Sequence, residues 1–398
     1  MSIEIKSFPA SNGESFLVKL IGENTKNIII DCGYESTSNY IINELENIKK
    51  NNETLDLIVF THIDNDHING ARKLLEYIIT NKYEFGELWY NDYLKISEVR
   101  FEEEDVNDNC EFIDNIASIL YKGEVGVYKK REVGYYSATS LIEYLLNDFI
   151  KDKWNKSFQG NSVNVQKGCL KRILLTDEIS IILLSPCNDI LKEQMSEWKE
   201  YLQGKIGKEI KNKKIALAFE KYFIVLRKED KSFKKSKCST QEIEEMLKYS
   251  EYDTDVVNRT SISFIIEYEK KKLLFLGDSS PIDIDEQVCK YLDEEASDSL
   301  NLVKVSHHGS KRNISNNIVK RIKCKKFIIS TDGSTHKHPD IESIVKIIKL
   351  GNGERNIYFN YKPNIIFNIL NSLGENFEDN LIYENESRLD KRIQSIFL

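Results

Sequence analysis

The 398 residues contain no CxxC pair, and their seven cysteines (Cys32, Cys110, Cys169, Cys187, Cys238, Cys289 and Cys324) are odd in number and widely scattered. That distribution excludes a structural zinc knuckle and predicts reduced thiols in a cytoplasmic protein. No apolar run approaches the roughly 18 residues that a membrane-spanning helix requires, so no membrane partner is expected. The opening "MSIEIKSFPA" alternates like a strand and shows no basic segment followed by an apolar run, which predicts no secretory signal. Internal repeats and low-complexity linkers are also missing. Histidine is scarce: there are six, and none lies between His67 and His307.

What is present is a soluble composition with an uneven charge. The formal net charge of -8 argues against broad nucleic-acid affinity, because phosphate contacts need clustered cations. The average hides a basic segment, however. From Lys205 to Lys237 there are 12 Lys and Arg against 4 Asp and Glu, interleaved with aromatics in "ALAFEKYFIVLRK". Such a run is either a solvated face of an added element or a path that pairs phosphates and stacks bases.

Short apolar runs alternate with helical periodicity over the first 90 residues. Strands are predicted at 15–21, 26–33 and 55–62, and helices at 39–50 and 69–80, where apolar residues recur three and four apart. Strands return at 179–186 and at 260–278, the latter as a hairpin with a charged turn. "LNLVKVSHHGS" and "KKFIISTDG" each end a strand in a polar loop, a helix is expected at 341–350, and a strand at 356–361. This order predicts a layered α/β domain with its site at strand ends. The last 25 residues or so are acidic and read as a tail or peripheral helix.

The six histidines (His62, His67, His307, His308, His336 and His338) fall in three short clusters, each at a predicted strand end or in the loop beyond it. One such histidine would mean little, but six confined in this way point to a metal or catalytic site. The first cluster, in "THIDNDHING", has the spacing HxDxDH: His62, Asp64, Asp66, His67. Alternate residues of an extended turn can project to one side while residue 67 reaches a second position, so four ligand groups can be divided between two cations. Asp278 in "LLFLGDSS" follows a strand and a glycine, and a carboxylate has two oxygens with which to bridge two metals. Of the adjacent His307 and His308, one is expected as a ligand and the other as a donor to substrate oxygens or an orienting group.

These residues resemble the metallo-β-lactamase fold, and within it the branch typified by the hydrolase-like domain of the ComEC DNA-uptake channel. The superfamily's usual motif is HxHxDH, and the ComEC-type branch carries HxDxDH. The resemblance continues in order through "IIIDCG", in which Asp31 buttresses the site, then "LLSP", "NRTSISFIIEYEKKKLLFLGD", "LVKVSHHGS" and "ISTDGSTHKHPD". It implies an αββα sandwich over residues 1–372, interrupted by insertions at about 90–175 and 187–255, with 373–398 left as the tail.

The same resemblance implies two divalent metal ions. His62 and Asp64 would hold one, Asp66 and His67 the other, and Asp278 would bridge, with His307 and His338 completing the shell. Catalytic roles fall to Asp66, His308 and His338, and substrate contacts to Asn258, Ser261 and Ser310. A carboxylate at Asp64 in place of imidazole hardens the site and favours Mn²⁺ or Mg²⁺ relative to Zn²⁺, which stays within the expected set. The implied activity is a metal-dependent nuclease or phosphodiesterase acting on single-stranded DNA or RNA. The alternatives are a hydrolase for a small ester, lactam or phosphocholine-like substrate, and a partner-dependent effector of a defence or uptake complex whose insertions hold a protein partner.

Overall fold

The computed structural model describes residues 2–96, 141–206, 240–334, 337–351, 353–361, 380–383 and 394–398. His336 and nearly all of the basic segment lie outside the described residues.

The first sheet contains β1 (Ser2–Ser7), β2 (Phe16–Ile21), β3 (Lys26–Ile30), β4 (Thr54–Val59) and β5 (Glu87–Trp89). The second contains β6 (Lys171–Thr176), β7 (Ile179–Ser185), β8 (Ser263–Tyr268), β9 (Lys271–Phe275), β10 (Leu302–Lys304), β11 (Lys326–Ile329), β12 (Asn356–Phe359) and β13 (Leu381–Tyr383). The last strand, β14 (Gln394–Phe397), returns to the first sheet, so the spatial orders are β14-β1-β2-β3-β4-β5 and β13-β12-β11-β10-β9-β8-β7-β6. The helices that bear on the site are α1 (Ser38–Lys50), α2 (Asn65–Ile68), α3 (Ala71–Thr80), α4 (Pro281–Glu294), α5 (Asn316–Arg321) and α6 (Ile341–Leu350).

Side-chain period explains the layering. In β1, Ile3 and Ile5 point inward between the sheets, with partly exposed residues alternating between them. β7 has no polar face: Ile179, Ile181 and Leu183 pack between the sheets, whereas Ile182 and Leu184 join a second core under α4 to α6. A strand buried on both faces has to read as a continuous apolar run, as "ISIILLS" does. On the far side of the first sheet, Ile41, Leu45 and Ile48 of α1 and Leu74, Leu75 and Ile78 of α3 cover Leu17, Ile29 and Ile58. Helix, sheet, sheet and helix therefore stack around three cores, which is the αββα arrangement. No helix among the described residues is long and apolar enough to cross a membrane.

Two stretches depart from the sequence reading. Residues 141–176, inside the stretch expected to be an insertion, supply β6 and bury Leu145, Ile150 and Trp154 in the first core. The C-terminal segment, expected from 373 as an acidic tail or peripheral helix, holds two strands among its described residues. β14 lies antiparallel to β1 with Ile396 opposite Ile5, and Gln394 and Ile396 are buried while Ser395 and Phe397 are exposed. The acidity of the segment masked this four-residue alternation, which buries one face against β1.

β3 is parallel to β4, and β9, β10, β11 and β12 are mutually parallel, so the carboxyl ends of each set lie along one edge. β2 begins at that edge and so does β8, each being antiparallel to its neighbour. Among the described residues, Asp31, the 61–70 loop, Asp278 and the His307–His308 pair are all delivered to this edge.

Candidate metal centre

Asp278, just beyond β9, is the hub. Its Oδ2 lies 3.4 Å from His67 Nε2, 3.6 Å from His307 Nε2, 3.8 Å from His62 Nε2 and 3.9 Å from His308 Nε2. His308 Nε2 is also 3.3 Å from Asp66 Oδ2, and His62 Nε2 is 3.8 Å from Asp64 Oδ2. These separations exceed the roughly 2.7–2.9 Å of a charge-assisted hydrogen bond. They are close to the roughly 3 to 3.5 Å expected between ligand atoms that each stand about 2.0–2.2 Å from one cation.

Backbone packing holds the loop in this shape. Asp64 is extended and caps α2, with its carbonyl accepting from the amides of His67 and Ile68. The carbonyl of Asp66 accepts from Glu14 N at 3.1 Å, and that of His67 accepts from Cys32 N at 2.7 Å. A Cβ at Gly13 would stand 2.1 Å from the Asp66 carbonyl oxygen, so only glycine allows the β1–β2 turn to reach the loop. Asp31, His307 and His308 all adopt positive φ (58°, 47° and 53°) without being glycine. Such conformations cost on the order of 1–3 kcal/mol each and persist where the surroundings over-determine them.

Each imidazole has a partner behind it. Asp31 accepts from Thr61 N at 2.7 Å and from Thr61 Oγ1 at 2.8 Å, and it holds His67 Nδ1 at 2.8 Å. A carboxylate there places the proton on Nδ1 and turns Nε2 toward Asp278. His308 Nδ1 donates to the Ser330 carbonyl at 2.8 Å, with Glu14 Oε1 at 3.2 Å. His307 Nδ1 faces Asp253 Oδ2 at 3.3 Å and Asn313 Oδ1 at 3.2 Å.

The Nε2 atoms of His62, His67 and His308, with Oδ1 of Asp278, are buried and make no hydrogen bond of normal geometry. Buried polar atoms are rarely left so, and the three imidazole nitrogens among them stand within 3.9 Å of Asp278 Oδ2, which fits a cation held there. The charge balance agrees. Burial pushes His62 well below its ordinary pKa, and the adjacent His67 adds to this. Burial acts on His67 in the same direction, but the carboxylates of Asp278 and Asp31 outweigh it and raise His67 well above its ordinary value. His307 is held at about 9 against burial by Asp278 and Asp253. Although burial favours their neutral forms, Asp66 is held low by His308 and His67, and Asp278 by His67, His307 and His308. Protonated imidazoles thus balance the carboxylates, and a divalent cation would take over that balance and release the protons.

The ligand groups that could hold a metal are His62 with His67 and Asp278, Asp66 with His67 and His308, and Glu14 with either Asp278 and His308 or Asp31 and His67. The expected division set His62 with Asp64 and Asp66 with His67; in the structure Asp66 and His67 share a group with His308, and His62 shares one with His67 and Asp278. His338 stands at the rim. Its Nδ1 is 3.5 Å from Asp340 Oδ2, its ring centroid is 5.4 Å from that of His307, and it belongs to none of these groups.

The residues expected on the substrate make hydrogen bonds within the protein. Asn258 Nδ2 donates to Asp253 Oδ2 at 2.8 Å, Ser261 Oγ accepts from Asp278 N at 3.1 Å, and Ser310 Oγ accepts from Arg312 N at 3.3 Å. Sequence reasoning missed Glu14, Lys304, Asp253 and Asn313. Only Lys304, a charge inside the apolar run "LVKV", carried a visible signal.

Residues 10–115 match the model of the Metallo-beta-lactamase superfamily. The match takes in Glu14, Asp31 and the whole 61–70 loop, and the two-sheet sandwich is the metallo-β-lactamase fold. The chain therefore carries a metallo-β-lactamase superfamily domain, and that domain together with the His/Asp cluster supports a metal-dependent hydrolase. No curated protein matches the chain.

Asp31→Asn tests the support behind His67. The amide is expected to lower metal affinity about 10- to 100-fold with the fold intact, measured by titration calorimetry alongside circular dichroism. Unchanged affinity would remove Asp31 from the account.

Proposed function

We propose that the protein is a metal-dependent phosphodiesterase that cleaves nucleic acid, with His62, Asp64, Asp66, His67, Asp278 and His308 holding two divalent ions. The observation that carries this reading is the carboxylate share of the cluster. Asp66 and Asp278 stand among the imidazoles and Asp64 lies 3.8 Å from His62, giving a hard donor set suited to Mn²⁺ or Mg²⁺ and to phosphoryl oxygens. Bound there, the ions supply an acidified water and a clamp for charge developing on the phosphoryl group. Asp66 orients the attacking water, because its side chain is the more open of the two, 19% exposed against 3% for Asp278. The basic segment from Lys205 to Lys237 supports a polyanionic substrate by its charge.

The test is cleavage of single- and double-stranded DNA and RNA with Mn²⁺, comparing wild type with Asp66→Ala. Metal-dependent cleavage lost in the variant is expected, with a steep fall as salt rises. No cleavage of any nucleic acid or cyclic nucleotide sinks the reading. Turnover of a small ester that survives lysine-to-glutamate changes between Lys205 and Lys237 would instead favour a small-substrate hydrolase.

A further inference from the structure

We propose that Asn12, itself held by Tyr34, positions the Asp66 carboxylate, fixing Oδ2 on the side of His308 and leaving Oδ1 to the attacking water. The inference rests on the metal-dependent hydrolase reading of the site and on no choice of substrate. It starts from an asymmetry in Asp66. Oδ2 has two close neighbours, His308 Nε2 at 3.3 Å and Asn12 Nδ2, which donates to it at 3.4 Å. Among the described residues nothing bonds to Oδ1. A carboxylate turns readily about its last bond, because that torsion is broad and two-fold. Some contact has to decide which oxygen faces the imidazoles. Apart from His308, Asn12 brings the one side-chain N–H that reaches this carboxylate among the described residues.

Asn12 can hold Asp66 because it is held in turn. It is 8% exposed, and the hydroxyl of Tyr34 donates to its Oδ1 at 3.1 Å. An asparagine amide has one accepting end and one donating end. With the phenol on Oδ1, the donating end is the one turned toward Asp66. The reverse orientation would set the amide oxygen against the carboxylate. The β1–β2 turn that carries Asn12 is also fastened from the second half of the chain: Ser11 N donates to the Tyr361 hydroxyl at 2.8 Å, and the Ser11 carbonyl accepts from Asp332 N at 2.9 Å. Two residues further on, Glu14 N takes the Asp66 carbonyl. One turn therefore fixes both the main chain and the side chain of Asp66. Without the Asn12 amide the carboxylate is free to turn, so that the group it forms with His67 and His308 loses a fixed ligand atom and the water loses its acceptor.

Mn²⁺ affinity, read by titration calorimetry, tests this without reference to any substrate. Asn12→Ala is expected to weaken binding by about 10- to 100-fold, the usual cost of removing a partner behind a ligand. Tyr34→Phe keeps the ring and removes only the hydroxyl; it should weaken binding by about fivefold, the worth of one net hydrogen bond, and it carries the test alone if Asn12→Ala does not fold. Because Tyr34 acts through Asn12, adding Tyr34→Phe to Asn12→Ala should cost nothing further. Thr37→Val controls for general loosening of the turn. It removes the hydrogen bond from Thr37 Oγ1 to the Pro9 carbonyl, 3.0 Å long, without touching Asp66, and should leave the affinity unchanged. On any substrate turned over at saturating Mn²⁺, Asn12→Ala should lower kcat and leave KM alone. Wild-type affinity in Asn12→Ala and Tyr34→Phe, losses that multiply in the double variant, or an equal loss in Thr37→Val overturns the inference. If the wild type binds Mn²⁺ and cleaves no nucleic acid, the phosphodiesterase reading fails, while the affinity series still upholds or overturns the role of Asn12. If the wild type binds no Mn²⁺, both fall.

Discussion

Asp278→Asn is expected to yield a folded protein that holds less metal than wild type and has lost on the order of 10³-fold or more in metal-dependent turnover. Asparagine keeps the shape of the side chain, so no cavity forms, and the amide of residue 278 still donates to Ser261 Oγ. What disappears is the one negative charge that four imidazole nitrogens approach within 3.9 Å. Asp66 cannot replace it, because of those four nitrogens it has a close approach to His308 alone among the ion pairs of the site. The same substitution reports on stability. A cation that binds only the folded state adds about 2.7 kcal/mol at one hundred times its dissociation constant. Mn²⁺ should therefore raise the melting temperature of wild type and leave that of Asp278→Asn nearly unchanged. A variant with wild-type metal content and turnover would show that the hub has been misassigned.

How far the sequence carried the site depends on which kind of information each residue holds. His62, Asp64, Asp66 and His67 were legible because their types are rare in this chain and their spacing is local, and Asp278, His307 and His308 because each ends a recognisable strand. Their division between ions was not legible, since residues from different strands meet at the sheet edge, His62 and His67 with Asp278, and Asp66 and His67 with His308. Asn258 and Ser261 were expected on the substrate from the resemblance alone; Asn258 bonds to Asp253, which lies outside that motif, and Ser261 to Asp278 at its far end. β7 was plain because a strand buried on both faces cannot look like anything but apolar sequence. β14 was hidden because four alternating residues close an acidic stretch, and only the exposed edge of β1 makes them a strand.

Glu14 and Lys304 are the clearest case of a pair that no local pattern announces, and they carry the second large prediction. Glu14 begins just before β2, Lys304 ends β10, and the two side chains meet as an ion pair at the junction of the sheets, 1% and 2% exposed. Lys304 Nζ also donates to the Gly277 carbonyl at 2.9 Å, and Glu14 Oε1 lies 3.2 Å from His308 Nδ1, so the pair braces both the hub and a ligand. Removing one partner of a buried pair leaves a bare charge, and Lys304→Met is expected to cost about 3–5 kcal/mol, measured by urea unfolding of the metal-free protein. Replacing both with neutral groups is often close to neutral, so Glu14→Gln combined with Lys304→Met should recover most of that loss. The pH dependence has a definite sign. Burial already raises the Glu14 carboxyl above its ordinary value despite Lys304. Without the lysine it rises further, so the folded state holds a proton that the unfolded state has released. The stability of Lys304→Met must then fall as pH rises from the ordinary carboxylate range toward neutrality, whereas the double variant, lacking the carboxyl, should show no such fall. A double variant as unstable as Lys304→Met, or a single-variant loss below about 1 kcal/mol, would mean that packing rather than charge holds this junction together.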